Sequence, residues 1–355
     1  MPSVMIHSAD YENVRAAVDL ALELYPLDLK GKSVLIKPNV LRGSTPQEGI
    51  VTHPAVLRAV VETVESLQPG SIVVGDNPGL FNYGDNERCF EQTGLMEASK
   101  GYYRNIGTSS VQMRFDPELM PGVGLSRAVL EADVVISLPK FKTHGLTVIT
   151  GAVKNSYGFL PGAQKAHLHK AAGNPERFHR VIAEVFRLRV PDLAIMDAVV
   201  GMEGNGPASP DLRDIGCILA SSDSVALDAV MAHMMGLAPE RLPHLKLAAE
   251  YGLGSLDLER ISIHGELKQL DGFKLPPLSG QALQENAAIQ DLIQNKTRLV
   301  PQADPELCTA CGSCIEQCPV SALSMDGDVP GVDADTCITC FCCQEICPEK
   351  AITLR

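Results

Sequence analysis

The sequence predicts an α/β protein: a mainly parallel sheet domain over residues 1–266, then a small α+β dicluster ferredoxin domain over residues 300–355. Three observations carry this. Short β-branched runs alternate with longer amphipathic ones through the first part, as in βαβ units. The chain is rich in Ala, Val, Leu and Ile, lacks tryptophan, and is only 5% aromatic, as α/β proteins often are. Its last stretch carries eight cysteines in two runs of identical spacing.

Strands are expected at 4–7, 33–37, 71–75, 133–138, 193–196, 215–220 and 260–264, where β-branched residues gather between polar or glycine-containing breaks. Helices are expected at 12–24, 54–67, 86–99, 146–155, 175–188, 223–236 and 239–251, with apolar residues at three- and four-residue spacing. Thr52-His53-Pro54 places proline in a first turn, and Ser222 or Asp223 precedes Val225 as a cap. Residues 267–299 read as a linker, with Pro276-Pro277 as a stiff element and one bridging helix over 281–295. Strand ends Lys37-Pro38-Asn39 and Gly75-Asp76-Asn77 are echoed by Pro139-Lys140 and Met196-Asp197, a faint sign of two similar α/β halves.

The cysteine runs are Cys308-x2-Cys311-x2-Cys314-x3-Cys318-Pro319 and Cys337-x2-Cys340-x2-Cys343-x3-Cys347-Pro348. They are the signature of a bacterial-type ferredoxin with two 4Fe–4S clusters, in which the fourth cysteine of each run reaches the other cluster. One cluster then uses Cys308, Cys311, Cys314 and Cys347, and the other Cys337, Cys340, Cys343 and Cys318. Zinc ribbons present well-separated pairs instead. Disulfides are disfavoured because residues 1–20 carry Asp10, Glu12, Arg15 and Asp19 and lack the apolar core of a secretory signal. Cys342 is surplus: either a small residue giving a weak S–H bond near the cluster, or an alternate ligand during cluster conversion. Cys89 and Cys217 read as buried thiols.

The net charge is −13, and residues 301–355 contribute −7 of it, nine acids against Lys350 and Arg355. Such a surface suits an external electron donor, a basic redox protein, and repels nucleic acid. No apolar stretch reaches the ~18–20 residues that span a bilayer. A cytoplasmic protein without membrane association is therefore expected, and its oligomeric state is left open.

In open α/β sheets ligands bind beyond the carboxyl ends of the strands. Four expected strand ends turn abruptly polar: Lys37/Asn39, Asp76/Asn77, Lys140/Lys142/His144 and Asp197. On a parallel sheet these meet on one rim. Thr143 would cap the helix at 146–155, which would carry Thr147, Thr150 or Gly151, and Lys154 as a polar stripe. Leu146, Ile149 and Val153 would face the other way. An acid-free stripe after a basic strand end suits an anion held by lysines, hydroxyls and a helix N-terminus. His144 is the candidate for proton transfer. Asp197 to Pro207 adds Glu203 and a glycine-rich turn that matches neither a Walker A loop nor G-x-G-x-x-G. Asp223 reads as a cap, while Asp228 stands out on an apolar helix. The candidate site therefore comprises His144, Asp76 and Asp197 for catalysis. Lys37, Asn39, Lys140, Lys142, Thr147, Lys154, Asn155 and Glu203 are the candidates for substrate binding.

Several strings resemble an uncharacterised family, domain of unknown function 362, often fused to a dicluster ferredoxin. They are Ile36-Lys-Pro-Asn39, Gly75-Asp76, Leu138-Pro-Lys-Phe-Lys-Thr-His144, Val153-Lys-Asn155 with Gly158, Asp197 with Met202-Glu-Gly-Asn-Gly-Pro207, and Ser222-Asp-Ser-Val-Ala-Leu-Asp228. Cys337-Ile-Thr-Cys-Phe-Cys-Cys343 resembles that family's ferredoxin half. The resemblance covers nearly the whole chain. It implies the two-part architecture and a redox association, and it supplies no reaction.

Together these features point to an iron–sulfur oxidoreductase passing electrons through two 4Fe–4S clusters to an anionic substrate, such as one with an activated double bond. Two other readings stand beside it. One is an electron-transfer or cofactor-maturation module whose large domain binds a protein partner or cofactor precursor. The other is a non-redox enzyme with structural clusters. A flavin is neither required nor excluded.

Overall fold

The structure, a computed structural model, describes residues 1–79, 85–276 and 299–354. The expected bridging helix at 281–295 lies outside the described residues. The strands of the large domain are β1 (Ser3–Ser8), β2 (Ser33–Pro38), β3 (Ser71–Val74), β4 (Ser110–Arg114), β5 (Gly122–Ser126), β6 (Val134–Leu138), β7 (Lys140–His144), β8 (Val148–Ile149), β9 (Leu193–Met202), β10 (Leu212–Ser221) and β11 (Ser262–His264). All seven expected strands are present, and they share one sheet ordered β11-β1-β10-β9-β6-β2-β3, with β7 beside β9 and β8 beside β7. The strand ends that echo one another therefore belong to a single continuous sheet.

Within that sheet β10 and β8 run against their neighbours, and the remaining pairings are parallel. The reason for β10 is local: residues 203–211 are too few for a crossover, so β9 and β10 close as a hairpin. That hairpin extends β9 to Met202, which places Asp197 inside a strand and not at its end. Helices cover both faces. On one lie α1 (Val14–Leu24), α2 (Pro54–Ser66), α3 (Asp85–Gln92) and α4 (Leu95–Ala98). The expected helix at 86–99 breaks into the last two at Gly94, whose φ is +74°, open to glycine at little cost.

After α5 (Arg127–Glu131), the second face carries α6 (Gly151–Asn155), α7 (Gly162–Ala172), α8 (Pro175–Leu188), α9 (Ser224–Met234) and α10 (Pro243–Glu250). Asp223 caps α9 by accepting from the N–H groups of Val225 and Ala226, as expected. The expected helix at 146–155 is replaced. Residues 140–149 fold back as the β7–β8 hairpin, and only five residues of helix follow, so the polar stripe does not form. Asp228 explains itself here. Its carboxylate accepts from the N–H groups of Ala152 (2.6 Å) and Val153 (2.9 Å) and holds the start of α6 against α9.

The ferredoxin part pairs β12 (Pro301–Ala303) with β15 (Ile352–Leu354), and β13 (Leu323–Asp326) with β14 (Val329–Val332). Its short helices are α11 (Ser313–Glu316) and α12 (Cys342–Ile346). It is not a loose appendage: Phe341 and Leu354 join the apolar core of the second face.

Candidate functional site

Cys308, Cys311, Cys314 and Cys347 line one cavity, and Cys318, Cys337, Cys340 and Cys343 line another. These are the two sets that the spacing predicts, each with its fourth cysteine crossing over. Positive φ at Ala310 and Gly312, and again at Thr339 and Phe341, winds both loops tightly around these cavities. The crossing thiols accept N–H bonds from Ala322 (3.2 Å to Cys318) and Ala351 (3.3 Å to Cys347), contacts that stabilise cluster thiolates. Among the described residues no three His, Cys, Asp or Glu side chains could hold a single metal ion. Two all-cysteine sets spread around cavities fit polynuclear iron–sulfur groups.

A larger cavity of about 90 Å³ lies where the large domain meets the ferredoxin. The ends of β2 and β3 supply Lys37, Asn39, Asp76 and Asn77; β7 supplies Lys142 and His144; α6 supplies Lys154 and Asn155; and α7 supplies Lys165 and His169. Gln317, Cys342, Glu345 and Ile346 of the ferredoxin form the facing wall.

Lys37 meets Asp76 at 2.7 Å, and its Nζ also donates to Asn155 Oδ1 at 3.0 Å. Asp76 is further occupied by the backbone N–H groups of Val40 (2.7 Å) and Asn77 (2.8 Å). The other lysines lack such a carboxylate. Lys142 donates to the Ile50 carbonyl at 2.6 Å, and burial, then the charge of Lys154, pushes its pKa well below the ordinary lysine range. Lys154 makes no hydrogen bond or ion pair among the described residues, and burial lowers its pKa too. Lys165 donates to the carbonyls of Asn77 and Pro78, and burial brings it down to about 8.

His144 Nδ1 accepts from the N–H groups of Leu146 (3.1 Å) and Thr147 (3.4 Å), which leaves the proton of the neutral ring on Nε2. That Nε2 lies 3.0 Å from Glu345 Oε1, as close as an ion pair but not aligned as a hydrogen bond. Burial and the charge of Lys154 push His144 down to about 4, so the ring is neutral at pH 7. Burial acts to raise the Glu345 carboxyl, yet His144 and Lys154 hold it at about 2. The cavity thus holds four lysines against two carboxylates, Asp76 and Glu345, and presents the Thr150 hydroxyl without a hydrogen-bond partner. Such a lining suits an anion.

Of the expected site residues, Lys37, Asn39, Asp76, Lys142, His144, Lys154 and Asn155 meet in this cavity. Lys140 and Asp197 do not line it. They form their own buried pair at 2.7 Å, completed by the Tyr11 hydroxyl and the His53 N–H, which ties β7 to β9. Thr147 Oγ1 donates to the Ile149 carbonyl inside the hairpin. Glu203 sits 3.4 Å from Arg213 and accepts from the Lys274 N–H, fastening the segment that leaves the domain. Lys165, His169 and Glu345 were not foreseen. Lys165 and His169 stand four apart in the acid-free run 162–172, a signal that was available; Glu345 offered none.

A family described as "Domain of unknown function (DUF362)" matches residues 34–233, more than half of the chain. The chain belongs to DUF362. Every large-domain residue of the cavity falls within the DUF362 match. A 4Fe-4S dicluster domain matches residues 300–348 and, with the two cysteine sets, makes this DUF362 member an iron–sulfur protein. A thylakoid-associated protein of Synechocystis sp. is 32% identical over 286 residues, covering 77% of this chain and 87% of that protein. Among solved structures, the lactate racemase apoprotein of Thermoanaerobacterium thermosaccharolyticum gives a TM-score of 0.43 at 13% identity over 66% of this chain. A Thermotoga maritima protein gives 0.39 at 10% over 68%. The chain spans only 56% and 59% of those two structures, and both likenesses are slight. Among the described residues no helix is long and apolar enough to cross a membrane.

Proposed function

We propose that this DUF362 protein is an iron–sulfur oxidoreductase that reduces an anionic small molecule held between its two domains. One observation supports this above the rest: Cys342 stands in the wall of the lysine-rich cavity and also in the wall framed by Cys318, Cys337, Cys340 and Cys343. Single electrons are what a 4Fe–4S cluster supplies when bound there.

The chain's own residues bind, orient and protonate. Lys142 and Lys154, neither within ion-pair distance of a carboxylate, are drawn to their charged form by an arriving anion, and the buried setting strengthens that attraction. The Thr150 hydroxyl is free to donate to the anion, and Asn39 Oδ1 is free to accept from an O–H or N–H elsewhere on the molecule. Lys37, engaged by Asp76 and Asn155, shapes the wall. Reducing an activated double bond takes two electrons and two protons. Lys165, at about 8, and Lys154 are placed to give the two protons, while the neutral His144 ring, with Glu345 beside it, offers its Nε2–H as a hydrogen-bond donor to the substrate. Ferredoxin residues Gln317 and Ile346 help to exclude water. The burial of Lys142 and Lys165 counts against this rim recognising an acidic protein.

The test mixes dithionite-reduced, cluster-loaded protein with unsaturated carboxylates and follows reoxidation anaerobically. Ligand-dependent reoxidation should fall about 100-fold in Lys154→Met with iron content intact, the scale of a lost buried charge contact. Turnover that survives cysteine-to-serine loss of both clusters would overturn the reading.

A further inference from the structure

The two cysteine runs are equal in spacing and unequal in exposure. In the second, Phe341 is 4% exposed and its ring seats against Gly145 of the large domain, while Cys342 faces the cavity. In the first, the residues matching Phe341 and Cys342 are Gly312 and Ser313, both half-buried, and the preceding Thr309, Ala310 and Cys311 are exposed where their counterparts Ile338, Thr339 and Cys340 are half-buried. Beside them Leu307 and Met325 are 50% and 44% exposed, two of the five large apolar side chains so exposed among the described residues. Met325 lines the same cavity as Cys308, Cys311, Cys314 and Cys347.

Acids flank these two apolar residues along the chain. Asp304, Glu306, Asp326, Asp328 and Glu349 are all exposed, and Glu349 also lines the cysteine cavity. Lys350 does not offset them, because it turns 3.8 Å from Glu48 of the large domain.

We infer that this face is the docking surface for a basic single-electron carrier protein, which delivers electrons at the Cys308/Cys311/Cys314/Cys347 site. The second cysteine site, turned toward the cavity, is then the outlet. A small apolar contact flanked by charges gives a short-lived complex whose encounter is steered by charge. Each encounter oxidises the carrier by one electron and reduces the ferredoxin by one, so two encounters match one two-electron reduction. A second copy of this chain does not fit, since each carries −13 and the facing acids would repel.

The test follows electron transfer from the reduced, cluster-loaded full chain to oxidised cytochrome c, a basic haem carrier used as probe, by anaerobic stopped-flow. Calorimetry of the oxidised pair at several salt concentrations gives the affinity. Asp326→Lys with Asp328→Lys, and separately Leu307→Ser with Met325→Ser, should each lower the second-order rate about ten-fold. The charge reversal should also flatten the salt dependence, and both variants should keep their iron and their reduction by dithionite. Glu12→Lys with Glu23→Lys, exposed on or beside α1, should leave the rate unchanged. Wild-type rates and affinities in both patch variants, or equal slowing by the α1 control, would overturn the assignment. These readouts involve the carrier and not the substrate, so their failure would leave the cavity reading standing.

Discussion

Lys37 and Asp76 lie 2.7 Å apart with their side chains only 1% and 2% exposed, and Gly158 makes room for them. A Cβ at 158 would fall 2.1 Å from Asp76 Oδ1 and 2.6 Å from Lys37 Nζ. Gly158→Ala should therefore split a buried ion pair and cost about 3 kcal/mol or more, measurable by urea unfolding. Lys165 gives a second prediction. Burial lowers it to about 8 from the ordinary 10.5, so between those values the unfolded chain binds the extra proton. Stability should rise with pH across that window, and Lys165→Met should remove the slope. Anion affinity should move the other way, falling as pH passes through about 8, which ligand titration would show. In the sequence Lys154 stood out because it fell on the polar stripe of the helix expected at 146–155, and Lys37 and Lys142 because strand ends on a parallel sheet converge. Lys140 and Asp197 belonged to the same pattern, and nothing local marked them as each other's partners.

Among the elements, the segment from Leu138 to Gly158 misled most. Leu146, Ile149 and Val153 have helical spacing, yet Lys140 pairs with Asp197 across β7 and β9, and Lys142 reaches the Ile50 carbonyl. These distant partners override local periodicity, as tertiary contacts commonly do. Helix α8, with its strong apolar face and Asn174 cap, was readable to the residue because its burial follows from its own spacing. The contact between α12's cap Phe341 and Gly145 had no sequence signal. A Cβ at 145 would come 2.7 Å from the Phe341 ring. Gly145→Ala should thus push the ferredoxin off the large domain, seen as faster hydrogen exchange in β7 and α12. Adding Phe341→Ala should restore much of the protection, because the smaller side chain removes the clash.

At the scale of the whole molecule, the two domains differ in what holds them together. The large domain has an extensive apolar core on each sheet face, while the ferredoxin's own cluster of buried residues is Cys314, Leu323, Cys343, Cys347, Ala351 and Ile352. Half of that small core is sulfur ligands, and so small a core needs its metal groups. Iron chelation should unfold residues 300–354 and leave the large domain's unfolding transition in place, as calorimetry would show. Cys318→Ser should remove about half the iron and spare the site of Cys308, Cys311, Cys314 and Cys347, by iron analysis and electron paramagnetic resonance. The cluster ligands were legible because their spacing is a short-range constraint. The seam was not, because His144 and Glu345 meet only after both domains have folded.

Cys342, standing in two walls at once, gives the chain a built-in indicator. A molecule that settles in the lysine-rich cavity changes the surroundings of the thiolates behind it, whether or not it reacts. A change in the line shape of the second cluster would therefore register occupancy in a plain titration. Collections of small anions could be screened in this way before any turnover assay exists, and the first responsive compound would identify the chemical class on which to build one.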